Sequence, residues 1–144
     1  MTATAFTETA ALQPGATLPP LNVGPITRAD LALYAGASGD HNPIHIDIDF
    51  AKAAGLPDVI AHGMLSMAFL ARLVTNWAPQ PALRALSTRF TAMTQVGAEI
   101  KCEGRVTERF EADGETRLRL ALTAKDQSGA VTLDGEAVIA IGAA

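Results

Sequence analysis

All three histidines of the chain, His41, His45 and His62, fall between positions 41 and 62. Two of them belong to the run Ser38-Gly39-Asp40-His41-Asn42-Pro43-Ile44-His45-Ile46-Asp47, where carboxylates, imidazoles and an amide stand almost side by side. Such a set can hold a metal ion, activate a nucleophile or move protons, and the spacing weighs among these. His41 and His45 stand at i and i+4, which on a helix brings two ligands to one face. Pro43 between them disfavours helical backbone at Asn42 and takes that geometry away, so no metal is expected. Gly36-Ala37-Ser38-Gly39-Asp40 has the outline of a nucleophile elbow, yet that turn needs glycine where Asp40 stands. Two readings remain. In one, the run is a polar turn in which Asp40 and Asn42 bond local amides and His45 is simply buried. In the other, Asn42 and Pro43 hold a fixed, non-helical bend that aims Asp40 and His45 at one water or one substrate proton, as an acid–base pair.

A second feature lies downstream, where Ala61-His62-Gly63-Met64-Leu65 leads into a strongly apolar stretch. The first amides of a helix have no intrahelical acceptor and carry the positive end of its dipole. Glycine at that point lets an oxygen approach the backbone closely. The Gly63 amide is therefore a candidate donor to a carbonyl that gains negative charge. His62 reads first as a packing or capping residue and only second as a catalytic one. Ser66, one turn on, reads as a hydrogen bonder between helix and loop.

The elements that must position these groups follow from pattern. Residues 1–14 are rich in Thr and Ala without periodicity and read as a flexible leader, leaving 15–144 as a single domain. Pro19 and Pro20 restrict any strand at 17–23 to a short one or an edge. Thr27-Arg28-Ala29-Asp30 is a loose capping box opening a helix that carries Leu31, Tyr34 and Ala35 on one face, with Gly36 and Gly39 about its end. A short helix is expected over 49–54, stopped by Gly55 and Pro57. From Met64 to Trp77 only Ser66, Arg72, Thr75 and Asn76 interrupt the apolar residues, so this helix should be enclosed on most of its circumference, with Met64, Met67 and Phe69 in the core. Trp77 is left to line a tunnel or an interface. The period then changes to two: Glu99 to Val106 and Arg117 to Leu122 alternate, with Asp113-Gly114 as a hairpin turn between them. Strands at 83–93 and 131–141 complete four consecutive strands joined by short turns. One face of such a sheet must bury its Leu, Ile and Val, and the long helix is the only apolar object to receive them, which gives an α+β architecture with an antiparallel sheet wrapped around a central helix.

Composition narrows the function. The chain has 144 residues, 49% hydrophobic and only 18% charged, against a usual charged share of about 25%. A net charge of −4 offers no general attraction to phosphate backbones or anionic lipid, which speaks against nucleic acid and membrane as partners. The single cysteine, Cys102, cannot form an internal disulfide and fits a reducing compartment. The first 20 residues hold no Lys or Arg and lack the pattern of a signal peptide, and the apolar stretch at 59–74 is too short to span a bilayer, so a cytoplasmic protein is expected. The shortage of charge also points to surface covered by a partner.

The stretch Tyr34-Ala35-Gly36-Ala37-Ser38-Gly39-Asp40-His41-Asn42-Pro43-Ile44-His45, with Ala61-His62-Gly63-Met64, resembles the MaoC-like dehydratases. These include R-specific enoyl-CoA hydratases of the hydratase 2 type and 3-hydroxyacyl-thioester dehydratases. The likeness is strong over 26–77 and looser through the strands, where Thr94 and Gln95 replace a more usual Pro-Val. The resemblance implies a hot-dog fold and a cofactor-free hydro-lyase acting on an acyl-CoA or acyl-carrier-protein (ACP) thioester. It makes Asp40 and His45 the catalytic pair, Asn42 and Pro43 the residues that shape their loop, and the Gly63 amide the donor to the thioester carbonyl. His62 and Ser66 are secondary. It further implies a homodimer. A heterodimer whose partner is inactive, and a hot-dog acyl-CoA thioesterase, are the rival readings. Arg84, Arg89, Arg105, Arg109, Arg117 and Arg119 are available in principle to CoA phosphates or an acidic carrier, although alternating strand charges more often serve only as a solvated face.

Overall fold

The alternating half of the chain becomes three long strands in a computed structural model that describes residues 13–142. Strands β3 (Ile100–Ala112), β4 (Glu115–Lys125) and β5 (Val131–Ala140) pair antiparallel in sequence order. Cys102 and Val106, Leu118, Leu120, Leu122 and Ala124, and Leu133, Ala137 and Ile139 are buried. They occupy alternate positions along each strand, as a half-buried sheet requires. Asp113 and Gly114 close the β3–β4 hairpin with positive φ at both residues, 51° and 74°. That two-residue turn matches the twist of the strands it joins. The segment before β1 runs along the edge of β3: the amides of Gly15 and Leu18 donate to the carbonyls of Val106 and Gly104. β1 (Leu21–Val23) then pairs with β3 at that edge. Twelve residues of the expected leader lie outside the described range.

The four strands do not form the expected simple meander. β2 (Leu83–Phe90) pairs with β5 rather than β3, and the sheet order is β1-β3-β4-β5-β2. Strand β2 also stops at Phe90, short of the expected Met93, and the stretch from Thr91 to Glu99 crosses the sheet to reach β3. Period-two patterning identifies strands but does not choose their neighbours. The long connection has its own anchors, with Gln95 bridging Ile60 and Ile26 flanking Ala98 and Gly97 through backbone hydrogen bonds.

Helix α1 (Arg28–Ser38) starts at Thr27 with the full capping box, Thr27 and Asp30 exchanging side-chain and backbone hydrogen bonds. It ends at Gly39, whose φ of 75° is the left-handed cap that glycine favours. The box holds the Asp30 carboxyl below its ordinary pKa, because Thr27 donates to it twice. Gly36, expected near the end, lies inside the helix. Helix α2 (Ile48–Ala53) is capped by Asp47, which accepts from the amides of Asp49 and Phe50.

The central helix, α3 (Gly63–Trp77), lies on the sheet and buries Ser66, Phe69, Leu70, Leu73, Val74 and Trp77. Gly104 permits the close approach: a Cβ there would stand 3.1 Å from Leu122, 3.2 Å from Leu18 and 3.4 Å from Leu73. Enclosure is one-sided, contrary to expectation. Met64, Ala68, Arg72 and Asn76, one helical turn apart, form an exposed stripe because the sheet covers only the opposite face. Met64 is 57% exposed, whereas Trp77 belongs to the core. The result is the hot-dog arrangement, an antiparallel sheet curled against one long helix. Among the described residues no helix is long and apolar enough to cross a membrane.

Candidate active site

The loop after α1 is built by its own polar side chains. Ser38 accepts from the Asp40 amide, Asp40 Oδ1 accepts from the Asn42 amide, and Asn42 Oδ1 accepts from the Ile44 amide. These short-range bonds are those of Asx and serine turns. Asn42 thereby caps a single 3₁₀ turn, Pro43–His45, whose first residue is Pro43. Proline fits that position because the missing N–H would have had no partner. The turn carries His45 inward, where it is 9% exposed, while the Asp40 side chain remains 52% exposed. His41 stays on the surface and takes no part.

Two further segments fix the imidazole of His45. Its Nδ1 lies 2.7 Å from the carbonyl of Ile60. A carbonyl can only accept, so Nδ1 carries a proton and donates, and in the neutral ring this puts the lone pair on Nε2. Nε2 faces Asp40 Oδ2 at 3.8 Å, too long for a direct hydrogen bond. The Ile60 carbonyl is itself held, since the next residue's amide donates to the Thr94 carbonyl at 2.8 Å. Sequence reading missed Ile60 because a backbone carbonyl leaves no trace in residue type.

His62 lies beneath this pair at 1% exposure. Its ring stacks on His45 with centroids 3.9 Å apart and planes inclined by 26°, and Tyr34 meets it edge-on at 4.8 Å. Nε2 of His62 donates to the Asp40 carbonyl at 3.1 Å, and its Nδ1 is buried with no partner among the described residues. Burial is the main cause that lowers the His62 pKa from its ordinary value. The donor atoms of Asp40, His45 and His62 lie within 4.8 Å of one another. Stacked rings direct their in-plane lone pairs alongside one another rather than toward a shared centre, and one of the four ring nitrogens is already bonded to Ile60 and another to Asp40. The arrangement therefore suits proton handling better than metal ligation.

A cavity of about 420 Å³ opens beside His45 and is lined by Gly63, Ser66, Thr94, Phe90, Met93 and Leu133 among others. Gly63 begins α3 next to this space, and its amide comes before the first intrahelical donors, the amides of Leu65 and Ser66, which both give to the His62 carbonyl. A Cβ at Gly63 would come 3.1 Å from the Phe90 ring. Ser66 reaches across the cavity wall to donate to Thr94 at 3.3 Å, tying the first turn of α3 to the β2–β3 connection. In the sequence Thr94 stands out only as a departure from a more usual Pro-Val and not as a site residue, because a threonine in a loop has no spacing signal. The structure thus brings Asp40, His45, Gly63, His62 and Ser66 to one place, with Asn42 and Pro43 holding the loop. None of the strand arginines lines this cavity. Arg84 and Arg117 both pair with Glu115, holding its carboxyl down at about 2, and Arg119 pairs with Glu108 and Glu136.

Residues 10–126 match the family model described as MaoC like domain. The chain is 30% identical over 118 residues to the (R)-specific enoyl-CoA hydratase of Rhodospirillum rubrum, covering 81% of this chain and 80% of that protein. It is 35% identical over 113 residues to fatty acid synthase subunit beta of Saccharomyces cerevisiae, covering 74% of this chain but only 5% of that far longer one. Among solved structures, the unliganded R-hydratase PhaJ1 of Pseudomonas aeruginosa superposes with a TM-score of 0.79 at 33% identity, over 91% of this chain and 83% of that one. The chain therefore belongs to the MaoC-like dehydratase family, and its domain is of the enoyl-thioester hydro-lyase type.

Proposed function

We propose that the chain reversibly hydrates trans-2-enoyl thioesters of CoA or ACP to (3R)-3-hydroxyacyl thioesters, with Asp40 and His45 as the acid–base pair. The observation that carries this is the His45 tautomer. With Nδ1–H given to Ile60, Nε2 faces Asp40 Oδ2, and in the neutral ring it does so as an acceptor. Two acceptors facing each other bind one water through its two hydrogens, which leaves an oxygen lone pair free to attack the β-carbon. As the C–O bond forms, the pair takes one proton from the water and returns one to the α-carbon. The double bond's electrons pass through an enolate whose oxygen the Gly63 amide stabilises, by about 3–4 kcal/mol for one such donor. Dehydration of the 3-hydroxyacyl thioester is the same path reversed. Docking the thioester carbonyl at Gly63 places its acyl group in the cavity beside His45.

The test is the loss of ultraviolet absorbance of crotonyl-CoA and longer enoyl-CoA substrates on adding the purified chain, with a chiral assay of the product. Turnover unchanged in both Asp40→Asn and His45→Gln would remove the mechanism. Free thiol released without hydration would establish the thioesterase reading instead. A chain inert alone and active only with a second protein would make it one half of a heterodimer while leaving the site in place.

A further inference from the structure

We propose that His62 is a positioning residue whose Nε2–H, donated to the Asp40 carbonyl, sets the gap between Asp40 and His45. The inference rests on the acid–base reading above and adds a part to it. Among the described residues Asp40 has little else to hold it on the inner side: its carboxylate is half exposed, lies 3.8 Å from His45 and accepts from the Asn42 amide two residues on, and its own amide donates to Ser38 within the loop. The His62 bond spans 22 positions of sequence, and it ties the loop after α1 to the start of α3, where Gly63 stands. One ring therefore joins the acid–base pair to the amide proposed for the thioester oxygen.

The unpartnered Nδ1 gives the reason to treat this as function rather than packing. A buried ring nitrogen without a donor destabilises the fold, and a phenyl group would fill the same space with no unpaired atom. Stacking on His45 and the edge contact with Tyr34 are also available to phenylalanine. What phenylalanine cannot supply is the proton on Nε2. Its tautomer follows from the carbonyl it meets, just as the opposite tautomer of His45 follows from Ile60. The two stacked rings thus carry their protons on different nitrogens, each fixed by a backbone oxygen.

The experiment compares His62→Phe, which keeps a ring and loses the donor, with His62→Gln, which loses the ring and keeps an N–H at the place of Nε2. Expected for Phe is a melting temperature equal to or above that of the wild type, a kcat lowered about 10- to 100-fold, as misplacement of a reacting group by an ångström produces, and a KM little changed. The Gln variant should recover kcat to within a few-fold of wild type. Full activity in Phe, or equal loss in Phe and Gln, overturns the proposal. Independently of folding in either variant, long-range ¹H–¹⁵N correlation on the wild-type protein should find His62 protonated at Nε2 and His45 at Nδ1. A proton on Nδ1 of His62 overturns it. Absence of turnover of crotonyl-CoA and longer enoyl-CoA substrates by the wild type, alone or with a second protein, would instead defeat the hydratase reading, while the tautomer measurement would still judge the bond from His62.

Discussion

At the level of single residues, chemistry and stability separate cleanly. Asp40 makes few contacts, so Asp40→Asn should lower kcat by about 100- to 10,000-fold, the range for one acid–base group, while shifting the melting temperature little. Paired turnover and thermal-melt measurements check this. His45 is buried and bonded to Ile60, so its removal should cost both. His62 adds a pH dependence whose sign is fixed by its burial. Its folded pKa lies below its ordinary value of 6.5, so between those two values the unfolded chain binds more protons than the folded one. Stability from this group is present above about pH 6.5 and is lost as the pH falls below it toward the lowered folded value. Melting temperatures of wild type and His62→Phe, taken from pH 8 to pH 5, should diverge in that window, with the variant losing less. The Asp40-Asn42-Pro43-His45 block was legible in the sequence because its chemistry resides in side chains and its bend in a proline. The parts that orient it, the Ile60 carbonyl and the His62-to-Asp40 bond, depend on backbone atoms brought from elsewhere in the chain.

At the level of elements, the local signals were strong and the pairing of strands was not. Thr27, Gly39, Asp47 and Asp113-Gly114 fix ends and turns through contacts within a few residues, and each marks the boundary its residue type suggests. The placement of β2 beside β5 depends instead on the stretch 91–99 crossing the sheet, and that stretch is anchored by backbone bonds to residues 26 and 60–61. No local pattern encodes such partners. The contact of α3 with the sheet offers a direct test. Gly104→Ala puts a methyl group within 3.1–3.4 Å of Leu122, Leu18 and Leu73, all buried or locked in the core. Overpacking of this kind typically costs about 1–3 kcal/mol. Urea titration should show a lower midpoint with an unchanged slope, and crotonyl-CoA turnover at a temperature well below the transition should persist, because the helix residue that Gly104 faces, Leu73, stands about 15 Å along α3 from Gly63. Gly63→Ala inverts that pattern. Its methyl group meets the Phe90 ring in the cavity wall, so kcat should fall more than stability, read by the same pair of assays.

At the level of the whole molecule, the low charge acquires a location. Ion pairs gather on the strands, where Arg84, Arg117 and Arg119 meet Glu115, Glu108 and Glu136. Among the described residues, most of the exposed large apolar side chains flank the site, namely Phe90 and Met93 at the end of β2 and just beyond it, Met64 at the start of α3, and Ile46 and Phe50 beside the His45 turn, while Leu33 on α1 and Val131 on β5 lie apart. β2 is also an outer strand of the sheet, with one edge that no strand among the described residues pairs. An unprotected edge flanked by apolar residues is a site for strand addition or aggregation unless it is covered. A second copy joined edge to edge through β2 would extend the antiparallel sheet, since a two-fold axis relates like strands in opposite directions, and would place the partner against Phe90 and Met93. Both residues line the cavity that holds His45. Mass in solution should therefore be twice the 15.0 kDa of the chain, as light scattering on a sizing column reads it. Phe90→Glu should return the protein to single-chain mass, because the carboxylate would have to be buried unpaired at the contact. A wild-type protein that already elutes as one chain, or a Phe90→Glu variant that stays at double mass, would exclude this edge as the interface.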